Sequence, residues 1–144
     1  MTTTAQILLG SLLLGFCSLI HVFMLVALVR SIAKHGHRLD YLSNQMSYTV
    51  YLTVSIAVVI LAHTIQVWTW AFSFVALGAI DEFGRAIYFS LVTYTTVGYG
   101  DVTVGPKFRV FGAMASVTGL LNFGLSTAFL VGLFTRMLED EDAT

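Results

Sequence analysis

Three long apolar runs constrain the fold of this chain more than any other feature. They cover residues 7–29, 45–80 and 110–138, and neither of the first two contains an acidic residue, a lysine or an arginine. About 20 consecutive apolar residues are enough for a helix to cross a bilayer, so each run predicts a transmembrane helix. The second run is longer than one crossing needs. We expect its helix to end near residue 72, among aromatic residues that suit a membrane interface: Trp68, Trp70, Phe72 and Phe74.

The composition also indicates a membrane protein. Of the 144 residues, 57% are hydrophobic and 10% are charged, whereas soluble domains carry roughly 25% charged residues. The net charge of −1 argues against nucleic acid as a partner. A single cysteine, Cys17, excludes an intrachain disulfide and a cysteine-based zinc site. We find no nucleophile–base pair, metal-ligand set or phosphate loop, so we expect neither an enzyme nor a bound cofactor.

We interpret residues 1–144 as a single all-α membrane domain. Residues 1–44 form an N-terminal transmembrane helix and a polar loop, and residues 45–138 contain the other two crossings. A secretory signal peptide is the alternative interpretation of residues 7–29. That alternative is weakened because no basic residue precedes the run, and the run is longer than a typical signal sequence allows.

The basic residues predict the orientation in the membrane. If the loop of residues 30–44 and the C-terminus are cytoplasmic, four basic residues lie inside and three outside, which agrees with the positive-inside rule. The inside group is Arg30, Lys34, Arg38 and Arg136, and the outside group is Arg85, Lys107 and Arg109. We therefore expect the N-terminus outside, and the acidic residues 139–142 in cytoplasmic solvent.

A short apolar segment, residues 84–95, precedes a glycine-containing run from Thr95 to Asp101. The segment is too short to cross a bilayer, so it predicts a re-entrant helix followed by a loop. Non-helical backbone is tolerated at membrane depth only where it is buried in protein or lines water. The run is therefore the candidate functional site.

The chemistry of this run suits a dehydrated cation. Backbone carbonyls can replace the water around K⁺ if successive residues turn their C=O groups towards one axis, which requires unusual backbone angles. Gly98 and Gly100 provide positions where a positive φ costs little. Val97 and Tyr99 would then point away from the axis and brace the loop. One chain supplies one strand of such a ring, so four subunits are needed to surround an ion.

Residues 82–132 resemble the pore module of potassium channels, most specifically through the sequence Thr-Val-Gly-Tyr-Gly-Asp. The resemblance implies a fourfold assembly with stacked K⁺ sites made of backbone carbonyls and one hydroxyl. These belong to Thr96 (carbonyl and hydroxyl), Val97, Gly98 and Tyr99. It also implies that Thr95, Gly100 and Asp101 support the filter, with Asp101 anchoring it through a hydrogen bond and drawing cations to its mouth.

The flanking helices carry further residues of this resemblance. In the pore helix, Tyr88 and Phe89 occupy the positions of an aromatic pair behind the filter. Val92 stands where some bacterial channels have a glutamate, so no carboxylate at that position can brace Asp101. In the last helix, the resemblance gives four candidates for residues that line the cavity or form the gate: Gly119, Asn122, Phe123 and Thr127.

Two of these inner-helix residues allow specific expectations. Gly119 matches a hinge position, and close helix packing through small residues is an equally good interpretation of it. Asn122 is costly in lipid, so we expect it on the wall of a water-filled cavity.

Two histidines, His21 and His63, lie within the predicted crossings. Intramembrane ionisable residues suggest either a proton sensor or hydrogen bonds between helices. Structural hydrogen bonding is favoured because no carboxylate accompanies them. His63 and Gln66 share a helix face and can share a partner. Because His21 should lie nearer the cytoplasm and His63 nearer the outside, we expect no contact between them.

These observations predict a K⁺-selective channel subunit that conducts passively as a homotetramer of identical chains in the plasma membrane, with the bacterial inner membrane favoured. A weakly selective cation channel and a non-conducting membrane scaffold are the alternatives. The partners expected are three further copies and membrane lipids. A regulatory partner is left open, since no helix carries the basic repeat of a voltage sensor.

Overall fold

The computed structural model describes residues 1–35 and 44–142, with their side chains described for residues 1–34 and 46–137. It contains four helices, and a short 3-10 turn, Pro106–Phe108, leads into the last of them; no strand occurs in the described residues. The helices are α1 Thr3–His35, α2 Asn44–Ala76, α3 Phe83–Tyr94 and α4 Arg109–Asp142. Within this part of the chain α1, α2 and α4 are long and apolar enough to span a membrane. The predicted all-α membrane fold is confirmed.

Two of the long helices extend beyond their apolar runs, and the third ends later than expected. α2 continues to Ala76, four residues past the end expected near residue 72, and α4 runs through the predicted acidic tail to Asp142. Of the predicted loop at residues 31–44, residues 36–43 lie outside the described residues, while α1 continues to His35. A helix satisfies its own backbone hydrogen bonds, so leaving the apolar segment does not by itself end it.

A glycine ends α2. Gly78 has a φ of 66°, which L-residues with side chains rarely adopt. The N–H of Gly78 donates to the carbonyl of Val75 at 2.9 Å, and that of Ala79 donates to the carbonyl of Phe74 at 2.9 Å. This left-handed termination satisfies carbonyls at the end of the helix and turns the chain towards α3.

An aromatic core joins α2, α3 and α4 near the filter end. Trp70 and Phe74 are fully buried, and the Trp70 ring lies 5.1 Å from that of Phe111. Trp68 and Phe72, by contrast, are exposed. The predicted belt of four interfacial aromatics is therefore corrected, because residues two apart on a helix point about 200° apart. One pair faces outwards and the other forms the core.

The N-terminal helix packs along α4 in parallel. The side-chain Oε1 of Gln6, itself buried, accepts hydrogen bonds from the backbone N–H groups of Val110 at 3.1 Å and Phe111 at 3.3 Å. These N–H groups belong to the first turn of α4 and have no partner within their own helix. Gln6 therefore caps α4 from another helix and places the starts of α1 and α4 at the same end of the bundle.

Candidate functional site

The loop of residues 95–101, called here the filter loop, hangs from the last turn of α3. The N–H of Thr96 donates to the carbonyl of Thr93 at 3.0 Å. The N–H groups of Val97 and Gly98 both donate to the carbonyl of Val92, at 3.0 and 3.2 Å. Carbonyls at the end of a helix lack partners within it, so these bonds satisfy both segments at once. Val92 supports the filter loop through its backbone carbonyl.

Positive φ values alternate along the filter loop. Thr96, Gly98 and Gly100 have φ of 63°, 58° and 79°, whereas Val97 and Tyr99 between them have no positive φ. The expected role of the two glycines in the backbone conformation is confirmed. Left-handed residues at every second position turn successive peptide groups in a common direction, which is the geometry a row of carbonyl ligands needs.

Thr96 is the member of this alternation that the sequence did not reveal. A positive φ is uncommon for any residue with a side chain, and for a β-branched residue it is an outlier. Such strain costs on the order of 1–3 kcal/mol and persists only where the surroundings impose it. Here the Thr96 N–H is held by Thr93, and the preceding Thr95 is held by its Oγ1, which donates to the carbonyl of Leu91 at 2.7 Å.

Two large side chains of the filter loop are uncovered within one chain. Tyr99 is 73% exposed and Val97 is 52% exposed. Other residues of the chain leave both side chains largely uncovered.

A hydrogen bond joins the filter loop back to the pore helix. The Tyr88 hydroxyl donates to Oδ2 of Asp101 at 2.6 Å. This bond, aided by the backbone N–H groups of Asp101 and Val102, holds the pKa of the Asp101 carboxyl below its usual range. The same bond raises the pKa of the Tyr88 hydroxyl. Tyr88 thus supplies the brace for Asp101 that Val92 cannot.

Replacing Tyr88 with phenylalanine is expected to move the titration of Asp101 to higher pH. The hydrogen bond favours the charged carboxylate, so its stabilising effect is present above the ordinary pKa of an aspartate and is lost as the pH falls through the lower folded-state value. Carboxyl ¹³C NMR of the protein in lipid, titrated with acid, measures the midpoint. Asp101→Asn identifies the resonance, and an unchanged midpoint in Tyr88→Phe would contradict the brace.

Phe89, the second residue of the predicted aromatic pair, packs on the aromatic core and also lines a cavity with Gly98 and Gly100 of the filter loop. It is buried, its ring lies 5.0 Å from that of Phe74, and a Cβ added at Gly112 would lie 3.5 Å from its Cζ. Phe89 therefore belongs to the aromatic core between α2 and α4, and only Tyr88 of the predicted aromatic pair bonds to the filter loop.

Gly119 is a point of close packing. A Cβ at this position would overlap the carbonyl oxygen of Tyr94, the last residue of α3, and would lie 2.9 Å from its carbonyl carbon. At Gly124 no atom of the chain lies within 4 Å of such a Cβ. Of the two roles weighed for Gly119, packing is the one these contacts require. The hinge role stays a prediction.

Asn122 faces α1, which corrects its expected place on a cavity wall. It is fully buried, and its Nδ2 donates to the Thr118 carbonyl at 2.8 Å and to Ser18 Oγ at 3.4 Å. The N-terminal helix, whose position the sequence did not predict, covers this side of α4. Phe123 stacks on His63 with ring centroids 4.6 Å apart, and the exposed Thr127 bonds to the Phe123 carbonyl of its own helix.

The expectation that His21 and His63 do not meet is wrong. Their ring centroids are 5.0 Å apart, and Ser126 Oγ lies within hydrogen-bonding distance of both Nε2 atoms. Because α2 continues to Ala76, His63 lies about 20 Å from the end of its helix instead of near the surface. The other expectation is confirmed: His63 and Gln66 share the Tyr94 hydroxyl as a partner. The sequence did contain a signal for this contact, because isolated polar residues within apolar runs form hydrogen bonds between membrane helices.

Comparison with known proteins identifies the family to which this chain belongs. Residues 49–136 match the model of a protein family described as Ion channel. The chain belongs to this ion channel family. The matched residues include most of α2, the pore helix α3, the filter loop and most of α4, whereas α1 lies outside the match.

One curated relative of the channel is the potassium voltage-gated channel protein shk-1 of Caenorhabditis elegans. It is 38% identical over 58 residues, which cover 40% of this chain and 11% of that protein. The chain thus aligns with about a tenth of its relative's length. No solved structure matches the channel. The predicted membership of a channel pore-module family is confirmed, and the family is one of ion channels rather than enzymes.

Proposed function

We propose that this channel subunit conducts K⁺ selectively and passively through a pore formed by four identical chains. The observation that carries the proposal is the alternation of positive φ at Thr96, Gly98 and Gly100. With this backbone, carbonyl oxygens from Thr96 to Tyr99 can replace the hydration shell of a dehydrated K⁺. The Thr96 hydroxyl supplies the innermost ligand. Cofactors are not required for this activity.

The single filter loop favours an assembly of four. One loop provides one side of an ion site, and this chain leaves the loop's side chains Val97 and Tyr99 largely uncovered. A neighbouring copy can cover them, because each subunit presents the same loop beside the same pore helix. The potassium channel to which the chain is similar supports the choice of ion.

The orientation follows from charge and packing together. Gln6 contacts the start of α4, so the N-terminus lies at the same end of the bundle as the residues that follow the filter loop. With the positive-inside rule, this end faces outside and the C-terminus is cytoplasmic. We place the channel in the plasma membrane, with the bacterial inner membrane favoured, in contact with its lipids.

Flux from liposomes tests the proposal. Purified protein reconstituted in lipid should release K⁺ down its gradient and exclude Na⁺, and the reversal potential under bi-ionic conditions should lie far from zero on the K⁺ side. Liposomes without protein provide the control. A reversal potential near zero would indicate the weakly selective cation channel. Absence of flux from correctly assembled protein would indicate the non-conducting scaffold.

A further inference from the structure

Five polar side chains from all four helices form a closed ring inside the bundle. This polar ring consists of Gln66 and His63 from α2, His21 from α1, Ser126 from α4 and Tyr94 from α3. In order around the ring, the five donor–acceptor distances are 2.9, 2.9, 3.0, 2.8 and 3.0 Å, starting with Gln66 Nε2 to His21 Nδ1. All members are buried except His63, which is half-buried.

The hydrogens of the polar ring can be assigned from chemistry. The amide nitrogen of Gln66 can only donate, so His21 accepts at Nδ1 and, being neutral, donates from Nε2 to Ser126. The single hydroxyl hydrogen of Ser126 then serves His63 Nε2. His63 donates from Nδ1 to Tyr94, whose hydroxyl donates to Oε1 of Gln66 and closes the ring.

This assignment gives the two histidines opposite tautomers. Turning the Gln66 amide over would reverse all five bonds together, and the two imidazoles would still differ. If both rings carried their hydrogen on Nε2, Ser126 would have to donate to the Asn122 carbonyl, 2.9 Å away. Tyr94 would then donate to His63, and Gln66 Oε1 would lose its donor. The closed ring therefore requires one histidine of each tautomer.

The polar ring determines where the pore helix sits. A polar group without a partner costs several kcal/mol in an apolar interior, so the ring is stable only when all four helices hold one arrangement. Tyr94 is the last residue of α3 and immediately precedes the filter loop, and its backbone carbonyl packs on Gly119 of α4. Shifting the Tyr94 side chain therefore shifts the base of the filter loop.

We propose that His21 and Ser126 are positioning residues for the filter loop, acting through Tyr94, and that the N-terminal helix α1 thereby takes part in selectivity. The proposal rests on the proposed function for its consequence in conduction. It assigns a role to a helix that lies outside the part of the chain matched by the ion channel family. Gln6 and Ser18 hold the same helix against α4 at other levels.

The first test reads the ring directly. ¹⁵N NMR of histidine-labelled full-length protein in lipid at neutral pH should show one imidazole protonated on Nδ1 and the other on Nε2. Ser126→Ala, which removes only the hydroxyl between the two rings, should shift the Nε2 resonances of both imidazoles, because each Nε2 loses its partner there. Two Nε2-protonated imidazoles in the unaltered protein would overturn the ring. This readout does not depend on conduction.

The second test reads the filter loop. His21→Leu and Ser126→Ala should change the backbone ¹³C shifts of Thr96 and Gly98 and lower the K⁺/Na⁺ permeability ratio about tenfold, because displacement of about 1 Å is costly at a preorganised site. His21→Gln, which keeps a donor and an acceptor, should restore both. Thr64→Val is the control, since that hydroxyl bonds only to the Ile60 carbonyl of its own helix.

The outcomes separate the two proposals. Unchanged filter-loop shifts in both His21→Leu and Ser126→Ala would overturn the positioning role even if the unaltered channel selects K⁺. Changed shifts that His21→Gln reverses would support it even if the unaltered protein conducts no K⁺, because the shifts report backbone geometry alone. Comparable changes in Thr64→Val would mean that any lost hydroxyl perturbs the loop, and would also overturn it.

Discussion

Gly98→Ala is expected to abolish the preference of the channel for K⁺ over Na⁺. Gly98 has a φ of 58°, and alanine pays about 1–2 kcal/mol for this conformation in each subunit, or about 4–8 kcal/mol over four copies. The backbone can avoid this cost by rotating the peptide group, which turns a carbonyl away from the ion axis. A loss of about 1.4 kcal/mol in binding free energy already lowers a binding constant tenfold. We therefore expect the K⁺/Na⁺ permeability ratio to fall by at least about tenfold.

Gly105, which follows the filter loop, provides the matched control. No atom of the chain lies within 4 Å of a Cβ added at either Gly98 or Gly105, so neither substitution causes a clash within the subunit. Gly105, however, has an ordinary φ of −60°. Gly105→Ala should therefore keep the permeability ratio of the unaltered channel. A Gly98→Ala channel with an unchanged ratio in the same liposome assay would contradict the carbonyl account of selectivity.

Gly119→Ala is expected to destabilise the channel and to distort the filter loop. The added Cβ would overlap the Tyr94 carbonyl oxygen and approach its carbonyl carbon to 2.9 Å. These are backbone atoms at the junction of α3 and the filter loop, so they cannot move aside as a flexible side chain would. Overpacking of a fitted interior typically costs 1–3 kcal/mol, about 1–3 kcal/mol here for each subunit.

The measurement is thermal stability of the assembled protein in lipid or detergent, followed by the permeability ratio. Gly132→Ala on the same helix is the matched control, because no atom of the chain lies within 4 Å of its added Cβ and alanine favours a helix more than glycine does. If Gly119→Ala matched the unaltered protein in both stability and selectivity, the contact between α4 and the end of α3 would not support the filter loop.

Local features were predictable because their cause lies within a few neighbouring residues. Run length and hydropathy predicted three crossings and a short helix between the second and third, and the structure has them. The positive φ of Gly98 and Gly100 followed from glycine itself. That of Thr96 did not, because no propensity of threonine indicates it, and hydrogen bonds to the end of α3 impose it.

The depth of a residue in the bundle and the direction in which its side chain points were less predictable. Trp70 and Phe74 were assigned to an interface and are core residues, and Asn122 was assigned to a cavity and faces α1. His21 and His63 were expected at different depths and lie side by side. In each case the identity of the residue is compatible with several positions. Helix ends and neighbouring helices decide among them, and a single sequence carries neither.

The sequence by itself thus determined that this is a membrane protein, which segments form helices, and the backbone chemistry of residues 95–101, because hydropathy and glycine act locally. Only the tertiary structure decided that α1 packs along α4, that Gln6 caps that helix, and that five scattered polar residues close into one ring. The physical reason is that a buried polar group must find partners wherever the fold places them. Those partners lie up to 105 residues away along the chain.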